Sequence, residues 1–190
     1  MHKICIVTDT TAQFPKHKDG WQDLVKILPG SLLGENIHQH PGDQPLASGA
    51  DYAPDSFLPD EEEQNKLKTF LSGLAYEYQQ VFCLLPTKTL FPSFRMVTQT
   101  LQQMNLPSVF TTIDTRSLGY GLGWLIQTCA DFLARNTNLS EIKRFLHHKI
   151  PRIYTLIYLP NLINLSRSKI LDPDQAFIGD YLGIHPLVLL

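Results

Sequence analysis

The sequence predicts an α/β fold in which a mostly parallel sheet is flanked by helices. Three segments share one form: a short apolar run passes through a polar or glycine-bearing turn into a helical pattern. They are KICIVTDTTAQFP (3–15), QVFCLLPTKTLFPSFRMVTQTLQQM (80–104) and SVFTTIDTRSLGYGLGWLIQTCADFLARN (108–136). Apolar runs that alternate with amphipathic helices are typical of βαβ units. With 190 residues, 43% of them hydrophobic, the chain is long enough to bury a core.

The remaining elements lie between and after these segments. The run LVKIL (24–28), which ends before Pro29-Gly30, predicts a short strand. Residues 61–78 predict a helix, because glutamates fill the first turn and apolar residues recur at helical spacing. The apolar positions are Leu67, Phe70, Leu71, Leu74 and Ala75.

The last part of the chain predicts a further helix over 141–148, with Asn138 or Ser140 as its N-cap, and a late strand in IYTLIYL (153–159). Residues 34–56 are different, since they are rich in Gly, Pro, Ser and Asp and show little periodicity. A connection of this length inside a compact domain is usually functional or mobile.

Composition excludes several classes of protein. The formal charge is −2 and no Lys/Arg-rich run occurs, so the electrostatic footprint of a nucleic-acid-binding protein is missing. No apolar run approaches the length of a membrane span, and the first one, ICIV, is too short for a secretory signal. The three cysteines lie in apolar contexts, which predicts reduced core cysteines in a cytoplasmic protein rather than disulfides or a zinc site. They are Cys5, Cys83 and Cys129.

Neither the glycines nor the histidines form a recognisable ligand motif. SLGYGLGW follows a predicted strand and opens a helix, as a phosphate loop does, but its spacing is GxGxG without GK[ST], so we favour close helix packing. His38 and His40 share an extended segment, whereas His147 and His148 are adjacent on a helix. No CxxC, HxxxH or HExxH supplies further ligands, and we expect no metal ion and no cofactor.

Catalytic machinery is equally sparse. There is no GxSxG motif, and no cysteine has a cationic setting that would activate it. Asp9 and Asp114 both fall at strand ends, where open α/β sheets place their ligand crevice. Two carboxylates there are suited either to acid–base work or to binding helix and loop amides, and the second interpretation is favoured because such capping is common.

Hydroxyl groups follow all three predicted strands, and they are Thr10, Thr11, Thr87, Thr89, Ser93, Thr115 and Ser117. Because the carboxyl ends of parallel strands meet at one edge of the sheet, we expect these side chains to gather there. A rim of hydroxyls and helix N-termini suits an anionic head group such as a carboxylate or phosphate, although each hydroxyl alone is more typical of a helix cap.

Several stretches resemble the DegV family of fatty-acid-binding proteins, in the same order along the chain. IVTDTTAQFP resembles the family opening IVTDSTADLP, and KILPGSLLGENIH resembles a strand and turn of the form VxPLxxxxxxxxY. TIDTRSLGYGLG resembles the family segment viDSxxxSxGxG, and NLSEIKRFL resembles the family helix GxSxEEI. Near the end of the chain, GDYLGIHPLVLL resembles the family segment LGxLLxIKPIL. The matches run from about residue 4 to the last residue.

The resemblance implies a two-domain α/β fold with a long-chain fatty acid buried between the domains. It also implies an acyl-carrier subunit of a fatty acid kinase, which presents the carboxylate to a separate kinase subunit and does no chemistry itself. On this interpretation residues 1–150 form the N-terminal α/β domain. Residues 151–190 form an interdomain segment or begin a second domain that is truncated, so the chain is either a fragment or a naturally short form.

The residues that align with the family's ligand loops depart from its pattern. The loop SSxLSGTY aligns with TKTLFPSF, which puts Phe91 at the carboxylate-binding serine, Pro92 at the glycine and Ser93 at the threonine. A phenyl ring donates no hydrogen bond, so the head-group contact is lost there or supplied by a neighbour. The loop TSxPSP falls near ASGADYAP (47–54), and the turn GGRI near SRSKI (166–170). The predicted ligand-binding residues are Thr10, Ser48, Thr87, Thr89, Ser93, Arg167 and Lys169.

Three functions follow from these patterns. The first is a divergent DegV-type protein that binds a long-chain fatty acid and presents its carboxylate to a kinase subunit. The second is a non-binding interaction module in which Phe91 and Pro92 have filled the head-group site. The third is a phosphate-handling enzyme that uses the GYGLG turn with Asp9 and Asp114.

Overall fold

The computed structural model describes residues 3–14, 24–29, 61–89, 91–106, 108–135, 138–159, 161–167 and 171–190. The main sheet has four strands: β1 (Ile4–Thr8), β2 (Val25–Ile27), β3 (Gln80–Leu85) and β4 (Phe110–Asp114). Their order across the sheet is β2-β1-β3-β4. All of its pairings are parallel, with Val7 opposite Cys83 and Leu85 opposite Asp114. The predicted parallel α/β sheet is therefore confirmed.

Helices cover both faces of this sheet. Successive side chains of a strand point to opposite faces, so Cys5 and Val7 pack on one side of β1, and Ile4 and Ile6 on the other. The first side is covered by α1 (Glu61–Glu77) and α2 (Ser93–Gln103), and the second by α3 (Gly119–Leu133) and α4 (Leu139–Lys149). All six residues of β3 are buried, as expected for an inner strand of a parallel sheet.

Apart from the first segment, the helix predictions agree with the structure to within two residues. The helix expected over 61–78 is α1, which buries Leu67, Leu71 and Leu74. The helix expected over 141–148 is α4, and of its two candidate caps Asn138 is the one used: its side chain accepts from the backbone N–H of Ser140 at 3.0 Å. The helical pattern expected after the first strand, within 3–15, is absent from residues 9–14, which form a turn and an isolated bridge from Ala12 to Gly119. The long connection over 34–56 lies outside the described residues. In the described ranges no helix is long and apolar enough to cross a membrane.

A second, two-stranded sheet lies near the end of the chain. A single 3₁₀ turn (Ile150–Arg152) leads to β5 (Leu156–Tyr158), which pairs antiparallel with β6 (Leu187–Leu189), and α5 (Ile163–Arg167) and α6 (Pro173–Tyr181) lie between them. The predicted late strand therefore begins three residues later than expected, whereas α6 and β6 were not predicted. One face of this sheet is apolar and about 60% exposed, and consists of Leu156, Tyr158, Leu187 and Leu189.

Candidate functional site

The loops that follow β1, β3 and β4 meet at the carboxyl edge of the parallel sheet, as the hydroxyl pattern predicts. The backbone N–H of Thr87 donates to the carbonyl of Ser117 at 3.2 Å, which joins the loop after β3 to the loop after β4. The hydroxyl of Thr115 donates to the carbonyl of Leu85 at 2.7 Å. The hydroxyl of Ser93 donates to Asp9 Oδ2 at 2.7 Å and joins the loop after β1 to the start of α2.

Asp9 is the buried acid at the centre of this edge. Its Oδ1 accepts from the backbone N–H of Thr11 at 3.0 Å and from the Thr11 hydroxyl at 2.6 Å, while Oδ2 accepts from Ser93. Burial raises the pKa of Asp9, and the hydrogen bonds from Thr11 and Ser93 oppose this shift without cancelling it. Asp114 also binds a loop amide, because its Oδ1 accepts from the backbone N–H of Arg116 at 3.0 Å. Both carboxylates thus bind loop amides, which is the interpretation that the sequence favoured.

The loop from Thr87 to Ser93 turns β3 into α2. The backbone N–H of Phe91 donates to the carbonyl of Thr87 at 3.1 Å, so the loop closes as a single helical turn. Pro92 precedes α2 at the N-cap and provides no side-chain acceptor. The first-turn amides of α2 are therefore not capped by the side chain at this position.

Thr87 and Ser93 are both buried but differ in what their hydroxyls bind. Ser93 is 0% exposed and donates to Asp9. Thr87 is 4% exposed, and within the described part of the chain its hydroxyl makes no hydrogen bond. Unlike the hydroxyl of Thr8, which is enclosed without a partner, the Thr87 oxygen is not fully enclosed, and it remains available to a ligand.

The other predicted ligand-binding residues are distributed as follows. Thr89 is exposed in the same loop, and Thr10 lies half-buried in the turn after β1. Arg167 is the last residue of α5, but its side chain lies outside the described structure, as do Ser48 and Lys169. The structure therefore brings Thr10, Thr87, Thr89 and Ser93 to one edge of the sheet and leaves the positions of the other three untested.

Two exposed cations at this edge were not predicted from the sequence. They are Lys88, which follows Thr87, and Arg116, which precedes Ser117, the two residues whose backbones are hydrogen-bonded. The ammonium of Lys88 lies 5.9 Å from the centre of the Phe94 ring. Arg116 has a φ of +51°, a left-handed conformation that is uncommon for a residue other than glycine. The signal for both lay in the sequence, because each stands beside a predicted hydroxyl.

The glycines of SLGYGLGW pack α3 closely against its neighbours. A Cβ built on Gly123 would lie 2.5 Å from the carbonyl carbon of Gln13 and 3.2 Å from the Phe14 nitrogen. Gly119 has a φ of +59°, and its carbonyl accepts from the backbone N–H of Gln13 at 3.0 Å. A Cβ on Gly121 would collide with the hydroxyl of Ser117, which itself bonds Thr155 at 2.9 Å. Close packing, the favoured interpretation, therefore accounts for this motif.

Cysteines and histidines supply no reactive centre in the part of the chain that the structure describes. Burial raises the pKa of Cys5 to about 12 and that of Cys129 to about 12, and it also raises the pKa of Cys83. Such thiols stay protonated and are poor nucleophiles. Among the same residues no group of three or more His, Cys, Asp or Glu side chains could hold a metal ion.

An open depression of about 830 Å³ lies between Pro29, just after β2, and the first half of α1. Its acidic residues, Glu61 and Glu62, disfavour an anionic head group, and Glu62 is already paired with Lys66. We therefore place the candidate site at the loops after β1, β3 and β4 rather than in the depression. The residues that line the depression are Pro29, Glu61, Glu62, Asn65, Lys66, Thr69 and Phe70.

Fold and loops together define a parallel α/β protein that presents hydroxyls and cations at the carboxyl edge of its sheet. The chain belongs to the DegV family. The family's sequence model, described as "Uncharacterised protein, DegV family", matches residues 46–190. The resemblance found in the motifs is thereby confirmed.

Individual relatives are distant in sequence but similar along the whole chain. A DegV domain-containing protein of Staphylococcus aureus is 23% identical, over 98% of this chain and 67% of its own length. The crystal structure of a fatty acid binding DegV family protein from Streptococcus agalactiae superimposes with a TM-score of 0.69 at 19% identity, over 100% of this chain and 68% of its own.

A third relative is the fatty acid kinase (Fak) B3 protein of Streptococcus pneumoniae, whose crystal structure is loaded with linoleic acid. It superimposes with a TM-score of 0.56 at 14% identity, over 98% of this chain and 68% of its own. At these identities the superpositions establish the fold. The chain spans about two thirds of the length of these relatives.

Proposed function

We propose that this protein binds a long-chain fatty acid and holds its carboxylate at the carboxyl edge of the parallel sheet. The observation that carries the proposal is the hydroxyl of Thr87, which makes no hydrogen bond within the described residues and belongs to the loop after β3, where that loop is bonded to the loop after β4. Because it is not committed to another group of the described residues, this hydroxyl can donate a hydrogen bond to a carboxylate. The same ligand class is supported by the Streptococcus agalactiae protein, described as fatty acid binding, and by the Streptococcus pneumoniae protein loaded with linoleic acid.

Two cations at the edge offset the negative charge of Asp9 and Asp114 there and can attract an anion. Lys88 and Arg116 are exposed and adjacent in sequence to the bonded residues Thr87 and Ser117, and α2 begins at Ser93 without a side-chain cap. Cations and the first-turn amides of a helix both stabilise a carboxylate. Thr89 and Thr10 add hydroxyls at the rim, and Arg167 and Lys169 belong to the proposed site through the resemblance.

The first experiment measures ligand binding directly. Native mass spectrometry of protein purified from cells is expected to show a bound acyl species, and palmitate or oleate is expected to raise the melting temperature of the delipidated protein. Thr87→Val keeps the shape of the side chain but removes the hydroxyl, and should lower the affinity. Thr128→Val is the matched control, because the Thr128 hydroxyl bonds only the Trp124 carbonyl of its own helix. No acyl species and no melting shift for the wild type would refute the proposal.

We further propose a carrier role rather than an enzymatic one, in the cytoplasm, with a fatty acid kinase subunit as the partner and without a cofactor. Three buried thiols with raised pKa values and carboxylates that bind loop amides offer no catalytic group. The name of the Streptococcus pneumoniae relative supports the kinase partner. The test is acyl phosphate formation from ATP by a fatty acid kinase subunit, with and without the oleate-loaded protein. Equal product in both reactions would refute the carrier role.

The domain division is also a proposal. Residues 1–150 would form the N-terminal domain, and residues 151–190 would begin a second domain or connect to it. The separate β5–β6 sheet and its exposed apolar face support this division, because a two-stranded sheet alone is marginally stable. Limited proteolysis should cut first between α4 and β5, and cleavage within β3 or α3 at the same rate would contradict it.

A non-binding scaffold is the second candidate, and Phe91 is the observation that favours it. Its half-buried phenyl ring stands where the resemblance implies a carboxylate-binding serine. In this case Phe91→Ser should create fatty acid binding that the wild type lacks. Binding by the wild type itself would exclude the scaffold.

A further inference from the structure

The hydroxyl of Ser93 has a fixed direction. A serine hydroxyl carries a single proton, and in this structure that proton is donated to Asp9 Oδ2 at 2.7 Å. Both residues are buried, at 0% and 2% exposure, so water does not compete for the bond. Towards any other group Ser93 can therefore present only lone pairs.

A fatty acid carboxylate accepts hydrogen bonds and donates none when ionised. Ser93 in its present orientation offers it no proton, whereas the hydroxyl of Thr87 is uncommitted within the described residues. The two buried hydroxyls of the loop thus have different roles.

We propose that Asp9 is a positioning residue that turns the Ser93 hydroxyl away from the head group, so that Thr87 is the loop's hydroxyl donor to the carboxylate. This inference rests on the proposed function and specifies its chemistry. Asp9 can act in this way because its other oxygen is held by two donors of Thr11, which fix the plane of the carboxylate. The hydrogen bond from Ser93 to Asp9 also holds the first residue of α2 against the loop after β1.

The isosteric change Asp9→Asn tests the direction of the bond. The amide oxygen can still accept from Thr11, which leaves the NH₂ group facing Ser93 and donating to its oxygen. The Ser93 proton is then released and can be donated to a ligand. A hydrogen bond to a charged group changes affinity by roughly tenfold or more, so Asp9→Asn should bind oleate about tenfold more tightly than the wild type.

A double variant separates this effect from the removal of a buried negative charge. If the released Ser93 hydroxyl provides the higher affinity for oleate, the double variant Asp9→Asn with Ser93→Ala should lose that increase. Its affinity for oleate should then equal that of the wild type within about twofold. If the gain persists in the double variant, charge removal explains it and the proposal is overturned. A merely structural role of Asp9 predicts weaker binding in Asp9→Asn, which would also overturn the proposal.

Two single variants keep the test valid if Asp9→Asn does not fold. Ser93→Ala should bind oleate within about twofold of the wild type, and Thr87→Val about tenfold more weakly. Equal losses in both variants would overturn the assignment of Thr87 and leave fatty acid binding intact. A wild type that binds no oleate would instead overturn the proposed function, and this inference with it, so the two failures are distinguishable.

Discussion

Gly123→Ala should destabilise the protein because α3 packs against the segment after β1 with no room for a methyl group. The new Cβ would lie 2.5 Å from the carbonyl carbon of Gln13 and closer still to its oxygen. Ordinary contacts between carbon and oxygen are about 3.3–3.6 Å, so the segment or the helix must move by about 1 Å. That movement also weakens the hydrogen bond from Gln13 N–H to the Gly119 carbonyl.

The size of the effect follows from three opposing contributions. Forcing a methyl group into a packed contact costs about 1–3 kcal/mol, and loss of the Gln13 hydrogen bond costs about 1 kcal/mol. Alanine in a helix is favoured over glycine by about 1 kcal/mol. We therefore expect the free energy of unfolding to fall by about 1–3 kcal/mol.

Gly73→Ala is the matched control, since Gly73 is exposed in the middle of α1 and a Cβ there meets no atom within 4 Å. Without a clash only the helix propensity changes, and the free energy of unfolding should rise by about 0.5–1 kcal/mol. Urea unfolding followed by circular dichroism measures both variants. If Gly123→Ala is as stable as Gly73→Ala, the close approach of α3 to Gln13 is wrong.

Three further predictions concern a cap, an acid and the thiols. Asn138→Ala removes the N-cap of α4 and should lower the free energy of unfolding by about 1 kcal/mol in urea; an unchanged midpoint would contradict the cap. Because burial raises the pKa of Asp9 in the folded state, its contribution to stability is fully present below the pKa of the unfolded chain and declines as pH rises through the folded pKa. As pH rises through the folded pKa of Asp9, the stability of Asp9→Asn relative to the wild type should therefore increase. If the urea midpoints of the two proteins instead change in parallel over a series of pH values, this prediction is refuted. Ellman's reagent should leave the buried thiols of the native protein unreacted and should label them in urea; these thiols are Cys5, Cys83 and Cys129. Fast labelling of the native protein would contradict their burial.

Local patterns were sufficient to predict most of the N-terminal part of the fold. The run QVFCLL is apolar except for its first residue and ends at Pro86, so both the strand and its end follow from composition. The helix α1 follows from its acidic first turn and from apolar spacing. β6 was missed because its three residues carry no alternation of polar and apolar side chains, and its strand identity depends on pairing with β5.

The candidate site was predictable in position but not in the roles of its side chains. The sequence places Thr87 and Ser93 in one loop and gives no reason to separate them. Only the folded chain brings Asp9 against Ser93, across 84 residues of sequence. This contact engages the Ser93 hydroxyl in a hydrogen bond and leaves the Thr87 hydroxyl without one in the described residues. The left-handed backbone of Arg116, in the turn that Asp114 closes, is likewise visible only in the folded chain.

The substitutions in the loop TKTLFPSF change its donors more than its shape. Pro92 has a φ of −75° at the N-cap of α2, and α2 begins at the next residue, so proline is compatible with the turn that the resemblance assigns to glycine. Proline and phenylalanine nevertheless remove an amide and a hydroxyl that could donate to an anion. With Ser93 committed to Asp9, the described loop retains Thr87 as its buried donor, beside Lys88 and Arg116. A carboxylate at this edge would therefore depend more on charge than on a set of hydroxyls, and its affinity should be sensitive to salt.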